Sequence, residues 1–397
     1  MNDVTDLEHN PLEGRADRIS SAFAAERADP RPVYAASQLP IAYEYLTDEW
    51  LTDALCRDVP GARVIAHELG PVDNGSSNRR KIRVDYNVKG QEAGLPKRLF
   101  GKAGHDLANR MLLGLAGAAE YETAFFRHIR PYLDIEAPHA VFSEYDPASF
   151  NMLTLLVDLT DDVLEFCDYG TVIDRSRAES AVLLLARFHA TGYANAQMRT
   201  KFGHFMSWPD YFARQLPWGI QQGSEAGFQD AEAVIPPRLF ARAGEIWPAT
   251  QQSVAQHRAM PSTFTHGDPH LKNWYVTAHG EMGLGDWQCG NIAHHSRDLA
   301  YAISTLLETE HRRAWERDLI ALYNDELIRL GGPRETFDTL FLAYRRQMMT
   351  ALTWWTITLH PTGDLPDMQP RDITLNLVSR IAHAIDDLDV LDAFDES

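Results

Sequence analysis

Between Lys81 and Val88 the chain alternates strictly: Ile82, Val84, Tyr86 and Val88 are apolar, whereas Lys81, Arg83, Asp85 and Asn87 are polar. Successive strand side chains point to opposite faces, so this period of two predicts a half-buried antiparallel strand. A run from Arg63 to Leu69, set off by a turn rich in Gly, Asn and Ser, and a later run from Arg98 to Ala103 predict its neighbours. Thr47 stands where it would cap a short helix running through Leu55. A helical pattern then covers Asn109 to Ile129, and two more apolar runs, Ala140 to Tyr145 and Asn151 to Leu159, flank the turn Asp146-Pro147. The first half is therefore expected to be a five-stranded sheet with one helix.

From about Thr160 onward the period is helical, broken by a strand pair at Asn273 to Thr277 and Glu281 to Gly285 around the turn Ala278-His279-Gly280. Phe341, Tyr344, Met348, Leu352, Trp355 and Leu359 recur at helical spacing and predict the buried face of a long helix. Trp354 falls about 100° from Trp355 and off that stripe, so it needs a second apolar neighbour, either another helix or a bound molecule. Trp208, Tyr211, Phe212 and Trp218 form a second aromatic group, for core packing or for a ligand. The fold class expected is α+β with two lobes: residues 39–159 a small antiparallel-sheet lobe, and residues 160–397 a larger, mainly helical one. Residues 1–38 mix charged residues, Asn and Pro with little periodicity and read as a mobile arm or a strap on the surface. The crossing lies near Leu159 to Asp162, where a cleft is expected.

Charge narrows the partners. With 37 Lys and Arg against 56 Asp and Glu, the net charge of -19 argues against nucleic acid and anionic membranes. The longest aliphatic stretch, Ala181 to Ala186, is too short for a membrane span or the apolar part of an export signal. Cys56, Cys167 and Cys289 lie far apart, with no spacing for a disulfide framework or a zinc site, which fits a reducing cytoplasm.

The densest chemistry is His266-Gly267-Asp268-Pro269-His270-Leu271-Lys272-Asn273, followed after one hairpin by Asp286-Trp287-Gln288. In phosphoryl transfer from ATP, a catalytic-loop Asp takes or orients the hydroxyl proton. An Asn five residues on holds one Mg²⁺, and a second Asp past a hairpin holds the metals. Asp268, Asn273 and Asp286 fit those three roles. Hard oxygen ligands suit Mg²⁺, and phosphate oxygens and water complete its shell.

This block resembles the phosphotransferase family of aminoglycoside kinases, choline kinases and ecdysteroid-kinase-like proteins, whose catalytic loop reads H-G-D-x-x-x-x-N. Downstream, Asp286-Trp287-Gln288, Gly290 and Arg297-Asp298-Leu299-Ala300-Tyr301 resemble that family's D-[FW]-Q, G and D-L-A-Y in order. The resemblance implies a bilobal protein-kinase-like fold, a small-molecule kinase dependent on ATP and Mg²⁺, Asp298 as a brace of the catalytic loop and His266 as a packed structural residue. His270 is expected either near the phosphates and acceptor or in the packing. Phosphate binding calls for a strand lysine held by a helix glutamate. Lys102, ending a segment that resembles the family's, and Glu122, in Tyr121-Glu122-Thr123-Ala124-Phe125-Phe126, are the residues of choice, with Lys97, Lys89 and Glu120 left to solvent. Gly70 to Ser77 is either a plain hairpin turn or a loop over the phosphates, with Ser76 as its first contact. Leu155-Leu156-Val157-Asp158-Leu159 resembles the family's L-L-E-D-L at the adenine, with Val157 in place of the usual Glu and Asp158 as a cofactor-side residue.

The acceptor is expected to be a hydroxylated small molecule, a bulky apolar alcohol or an aminoglycoside-like compound, with His270 and Trp354 as candidate acceptor-side residues. Two other readings stand beside this one. His266, Asp268, His270 and Asp286 could ligate the metal of a phosphohydrolase, or the chain could be a kinase-like binding module without turnover.

Overall fold

In the computed structural model, which describes residues 14–361 and 369–396, the alternating segment lies in a five-stranded antiparallel sheet. Its strands are β1 (Val64–Asn74), β2 (Asn78–Tyr86), β3 (Arg98–Ala103), β4 (Ala140–Asp146) and β5 (Asn151–Val157), in the order β1-β2-β3-β5-β4. The inward residues Ile82, Val84 and Tyr86 are buried. Val88 is not, at 66% exposure. The strand stops at Tyr86 because the Asn87 side chain accepts the Gly90 N–H and starts the short helix Val88–Glu92.

Thr47 caps the helix Asp48–Leu55 as expected, its side chain accepting from Trp50 N. That helix lays Trp50 and Leu51 into a core with Val84, Tyr86, Leu99, Phe142 and Leu155, where each fully buried apolar side chain contributes about 2 kcal/mol. The single helix expected over 109–129 is instead two, Leu107–Ala116 and Ala118–Ala124, running on into a π-helical turn, Phe125–Ile129. Gly117, at φ 77°, is the break: it ends one helix and begins the next in a left-handed conformation that only glycine adopts cheaply. Ahead of the sheet, residues the sequence left without periodicity form the helix Arg15–Glu26, with Ile19 wholly buried and its Cδ1 packed at Gly114. Glu26 pairs with Arg110. Residues 1–13 of the expected arm lie outside the described residues.

These elements make up one compact unit, which runs to Pro131 and resumes over Pro138–Asp161; Tyr132–Ala137 and the chain from Asp162 on make up the other. The second unit is mainly helical, with long helices Arg175–Ala194, Thr309–Arg329, Phe337–Leu359 and Arg371–Asp387. The stripe on Phe337–Leu359 is buried at Tyr344, Met348, Leu352, Trp355 and Leu359, and half-buried at Phe341. The expected hairpin is present as β8 (Trp274–Thr277) and β9 (Met282–Leu284). Sequence reading misses three short strands. These are β6 (Val163–Phe166), which pairs with β8, and β7 (Thr263–Thr265), which pairs with β10 (Asn291–Ala293). Runs of three or four residues are too short for a period to show. None of the three cysteines is in a disulfide, and no helix among the described residues is long and apolar enough to cross a membrane.

Candidate active site

In the first unit Lys102 sits on the central strand, between Arg79 of β2 and Thr154 of β5. Its ammonium donates to Glu122 Oε1 at 2.5 Å, with only 9% and 2% of the two side chains exposed. Glu122 lies on the helix that restarts after Gly117, whereas Glu120, Lys97 and Lys89 are exposed. The geometry thus selects the pair the sequence points to. The turn Gly75–Ser77 joins β1 to β2, with Ser76 exposed at its tip and Ser77 buried. Asn109 Nδ2 donates to Gly75 O at 2.6 Å, and Asn78 Oδ1 accepts from the backbone N–H groups of His105 and Asp106. Sequence reasoning missed Asn78, Asp106 and Asn109, although Asp106 carries the ordinary mark of a helix cap. Asp158 is engaged locally: its Oδ1 accepts from Thr160 N and Thr160 Oγ1, and its own N–H donates to Arg98 O.

In the second unit, β7 delivers the chain into the loop His266–Asn273 and β8 carries it away. Gly267 has φ 87°, and a Cβ there would meet Cys289 O at 2.2 Å, so both backbone and space demand glycine. The loop backbone is latched by Asp298, on the fully buried helix Ser296–Leu306, which accepts from His266 N at 2.6 Å and Gly267 N at 2.9 Å. Burial opposes the Asp298 charge. The hydrogen bond from His189 at 3.2 Å, with nearby Arg297, outweighs it and holds the carboxyl below the usual range. The bracing role implied for Asp298 has a direct geometric basis, while His189, far upstream, gave no local signal. His266 donates from Nε2 to Gly285 O at 2.8 Å and accepts the Asp268 N–H at Nδ1. Both ring nitrogens are engaged and burial pushes its pKa down, an environment that fits a packed residue of the loop better than a metal ligand or a base.

The Asp268 carboxylate is held from one side. Tyr301 OH donates to Oδ1 at 2.8 Å, and Oδ2 lies 3.5 Å from both His270 Nε2 and Asn273 Nδ2. Tyr301 is buried, and burial with the Asp268 charge raises its pKa well above the ordinary value, so it remains a donor. Sequence reading quoted Tyr301 within a motif but gave it no task. Asn273 Nδ2 donates to Asp268 O at 2.8 Å, which leaves its Oδ1 as a ligand atom. Pairing of Trp274 with Leu284 closes the hairpin, and Gly285 N donates to Asn273 O at 2.7 Å, so Asp286 follows directly beside Asn273. Asp286 adopts φ 57°, ψ 69°, a left-handed conformation unusual for a non-glycine residue and typical of functional positions. One amide oxygen and one carboxylate form the all-oxygen donor set that suits Mg²⁺.

His270 is buried between Tyr169, stacked at 6.2 Å, and Trp355, edge-on at 5.4 Å. Trp354 packs instead against Trp208 and Phe212. Its second apolar neighbour is therefore another helix, Trp208–Gln215.

The model of the phosphotransferase enzyme family matches residues 113–335 of the 397. Among solved structures, an aminoglycoside phosphotransferase described as putative, from Ralstonia eutropha, superimposes with TM-score 0.50 at 13% identity, over 86% of this chain and 97% of its own. An ethanolamine kinase from Plasmodium vivax gives TM-score 0.49 at 10% identity, over 93% and 94%. Choline kinase from Streptococcus pneumoniae gives 0.44 at 10% identity, over 82% and 94%. No curated protein sequence matches significantly.

Proposed function

Because the chain belongs to the phosphotransferase enzyme family and is a small-molecule kinase, we propose that it moves the terminal phosphoryl group of ATP, with Mg²⁺, onto a hydroxyl of a small molecule. The observation that carries this reading is the set Asp268 and Asn273, on a loop whose backbone Asp298 latches, with Asp286 brought beside Asn273 by the hairpin and the Asp268 carboxylate held by Tyr301. Tyr301 occupies Oδ1, so Oδ2 is the atom that receives the acceptor's proton. As the acceptor oxygen bonds to the terminal phosphorus, the bond from that phosphorus to the bridging oxygen breaks and ADP leaves. Asn273 Oδ1 and the Asp286 carboxylate would hold Mg²⁺, which when bound supplies positive charge against the phosphates. Lys102, steadied by Glu122, binds the phosphate chain; the Ser76 loop covers it, and the backbone around Asp158 receives the base.

The acceptor side of Asp268 favours a bulky, largely apolar alcohol. His270, Tyr169 and Trp355 form an aromatic group beside it. His270 Nδ1, Tyr169 OH and Trp355 Nε1 are buried without a hydrogen-bond partner among the described residues. A screen of hydroxylated compounds with ATP or GTP, with and without Mg²⁺, tests the reading. Acceptor-dependent ADP release, with a product heavier by one phosphoryl group, is expected only with the metal present. Release of phosphate from phosphoesters without nucleotide would favour a hydrolase instead.

A further inference from the structure

At the start of the helix Ser296–Leu306 lies a second polar cluster, which the phosphotransfer chemistry does not use. His294 and His295, both buried, turn their Nε2 atoms toward the Glu335 carboxylate: His294 Nε2 is 3.0 Å from Oε1 and His295 Nε2 is 3.7 Å from Oε2. The three ligand atoms lie within 4.8 Å of one another, and this is the one such His, Cys, Asp and Glu grouping among the described residues.

The protons of the cluster can be assigned. Tyr193 OH is 3.2 Å from Pro261 O, which can only accept, and 2.9 Å from His295 Nδ1. The phenol carries a single hydrogen. Both contacts are hydrogen bonds only if that hydrogen goes to Pro261 O and His295 Nδ1–H donates to the phenol oxygen. His295 Nε2 is then a lone pair. It is buried, it faces the Glu335 Oε2 acceptor, and neither atom has a hydrogen-bond partner among the described residues. Two facing acceptors in a dry site repel unless something positive lies between them.

We propose that His294, His295 and Glu335 bind one divalent cation of the zinc class. Two imidazoles and a carboxylate suit Zn²⁺, and Mg²⁺ poorly. Bonds of 2.0–2.1 Å in a tetrahedron set ligand atoms about 3.3 Å apart, and the three ligand atoms here lie within 4.8 Å of one another, near enough to close on one ion. Outer partners are in place as well. Tyr193 accepts from His295 Nδ1. His294 Nδ1 accepts from Ser296 N at 3.3 Å, so binding at Nε2 displaces the hydrogen that Nε2 gives to Glu335 Oε1, with Ser296 Oγ 2.7 Å from Nδ1 as the outer partner. The cation would tie the residues just before the Asp298 helix to the loop carrying Glu335, and so stiffen the support of the catalytic loop.

The test is a Zn²⁺ titration of the untagged full chain, stripped by chelator and held in millimolar Mg²⁺ to mask the Asp286 site. The expected result is one equivalent of Zn²⁺ bound per chain, with Co²⁺ giving the visible absorption of a four-coordinate site. Glu335→Gln, a half-buried position that spares the fold if His295→Gln does not, should weaken Zn²⁺ binding at least 100-fold, the upper end for changes even to outer partners. No stoichiometric binding, or wild-type affinity in Glu335→Gln, would overturn the proposal.

Discussion

Asp268 can take a proton from an acceptor only while its carboxylate is ionised and correctly aimed, and the 2.8 Å bond from Tyr301 does the aiming. Tyr301→Phe keeps the ring and removes that one donor. The expected outcome is a kcat lower by roughly 10- to 100-fold with the KM for nucleotide unchanged, the pattern of an interaction that matters in the transition state. A raised nucleotide KM with normal kcat would place Tyr301 elsewhere in the account. At this scale the sequence was legible where short spacing brings side chains together, as for Asp268, Asn273 and Asp286. It was silent where a bond spans distant segments, as with His189 to Asp298, 109 residues apart. Tyr301 lies between these cases. It stands three residues after Asp298 on one helix face, so the two were placed together, but nothing local showed that Tyr301 reaches Asp268.

The Lys102–Glu122 pair joins β3 to the helix Ala118–Ala124, and its burial makes it a packing element as well as the phosphate clamp of the proposed function. Removing one partner strands the other's charge, which costs about 3–5 kcal/mol, whereas removing both together costs far less. Lys102→Met should therefore lower the urea midpoint sharply, and Lys102→Met with Glu122→Gln should restore most of the stability while transfer stays lost. Recovery of transfer in the double variant would take the pair out of the site. Elements were legible where a pattern ran long enough to repeat: β2, β3 and the helix Phe337–Leu359 were all anticipated. The helix break at Gly117 was not, because Gly114 in the same run stays helical. The difference is tertiary, since Gly114 is where Ile19 of a separate helix comes to rest.

Across the whole molecule, the charge of -19 bears on the class of partner to expect and says little about the acceptor. Stability against pH is a property at this scale. His105 is pushed down to about 3 from an ordinary 6.5 by burial, then by Arg110 and Arg27. The unfolded chain protonates this ring near 6.5 and the folded one does not, so stability is full above 6.5 and falls as pH drops toward 3. One such ring removes about 2 kcal/mol by pH 5. His105→Gln should reduce the loss between pH 7 and pH 5 by that amount in urea melts, and an unchanged loss would mean that the ring is charged in the fold. The central claim, that Asp268 receives the acceptor's proton during transfer from Mg-ATP, meets its most direct test in Asp268→Asn. The account predicts that acceptor-dependent ADP release falls by about 10³-fold or more while Mg-ATP affinity, measured by calorimetry, stays within a few-fold of wild type. Wild-type transfer to the same acceptor, or loss of Mg-ATP binding in place of transfer, would contradict it.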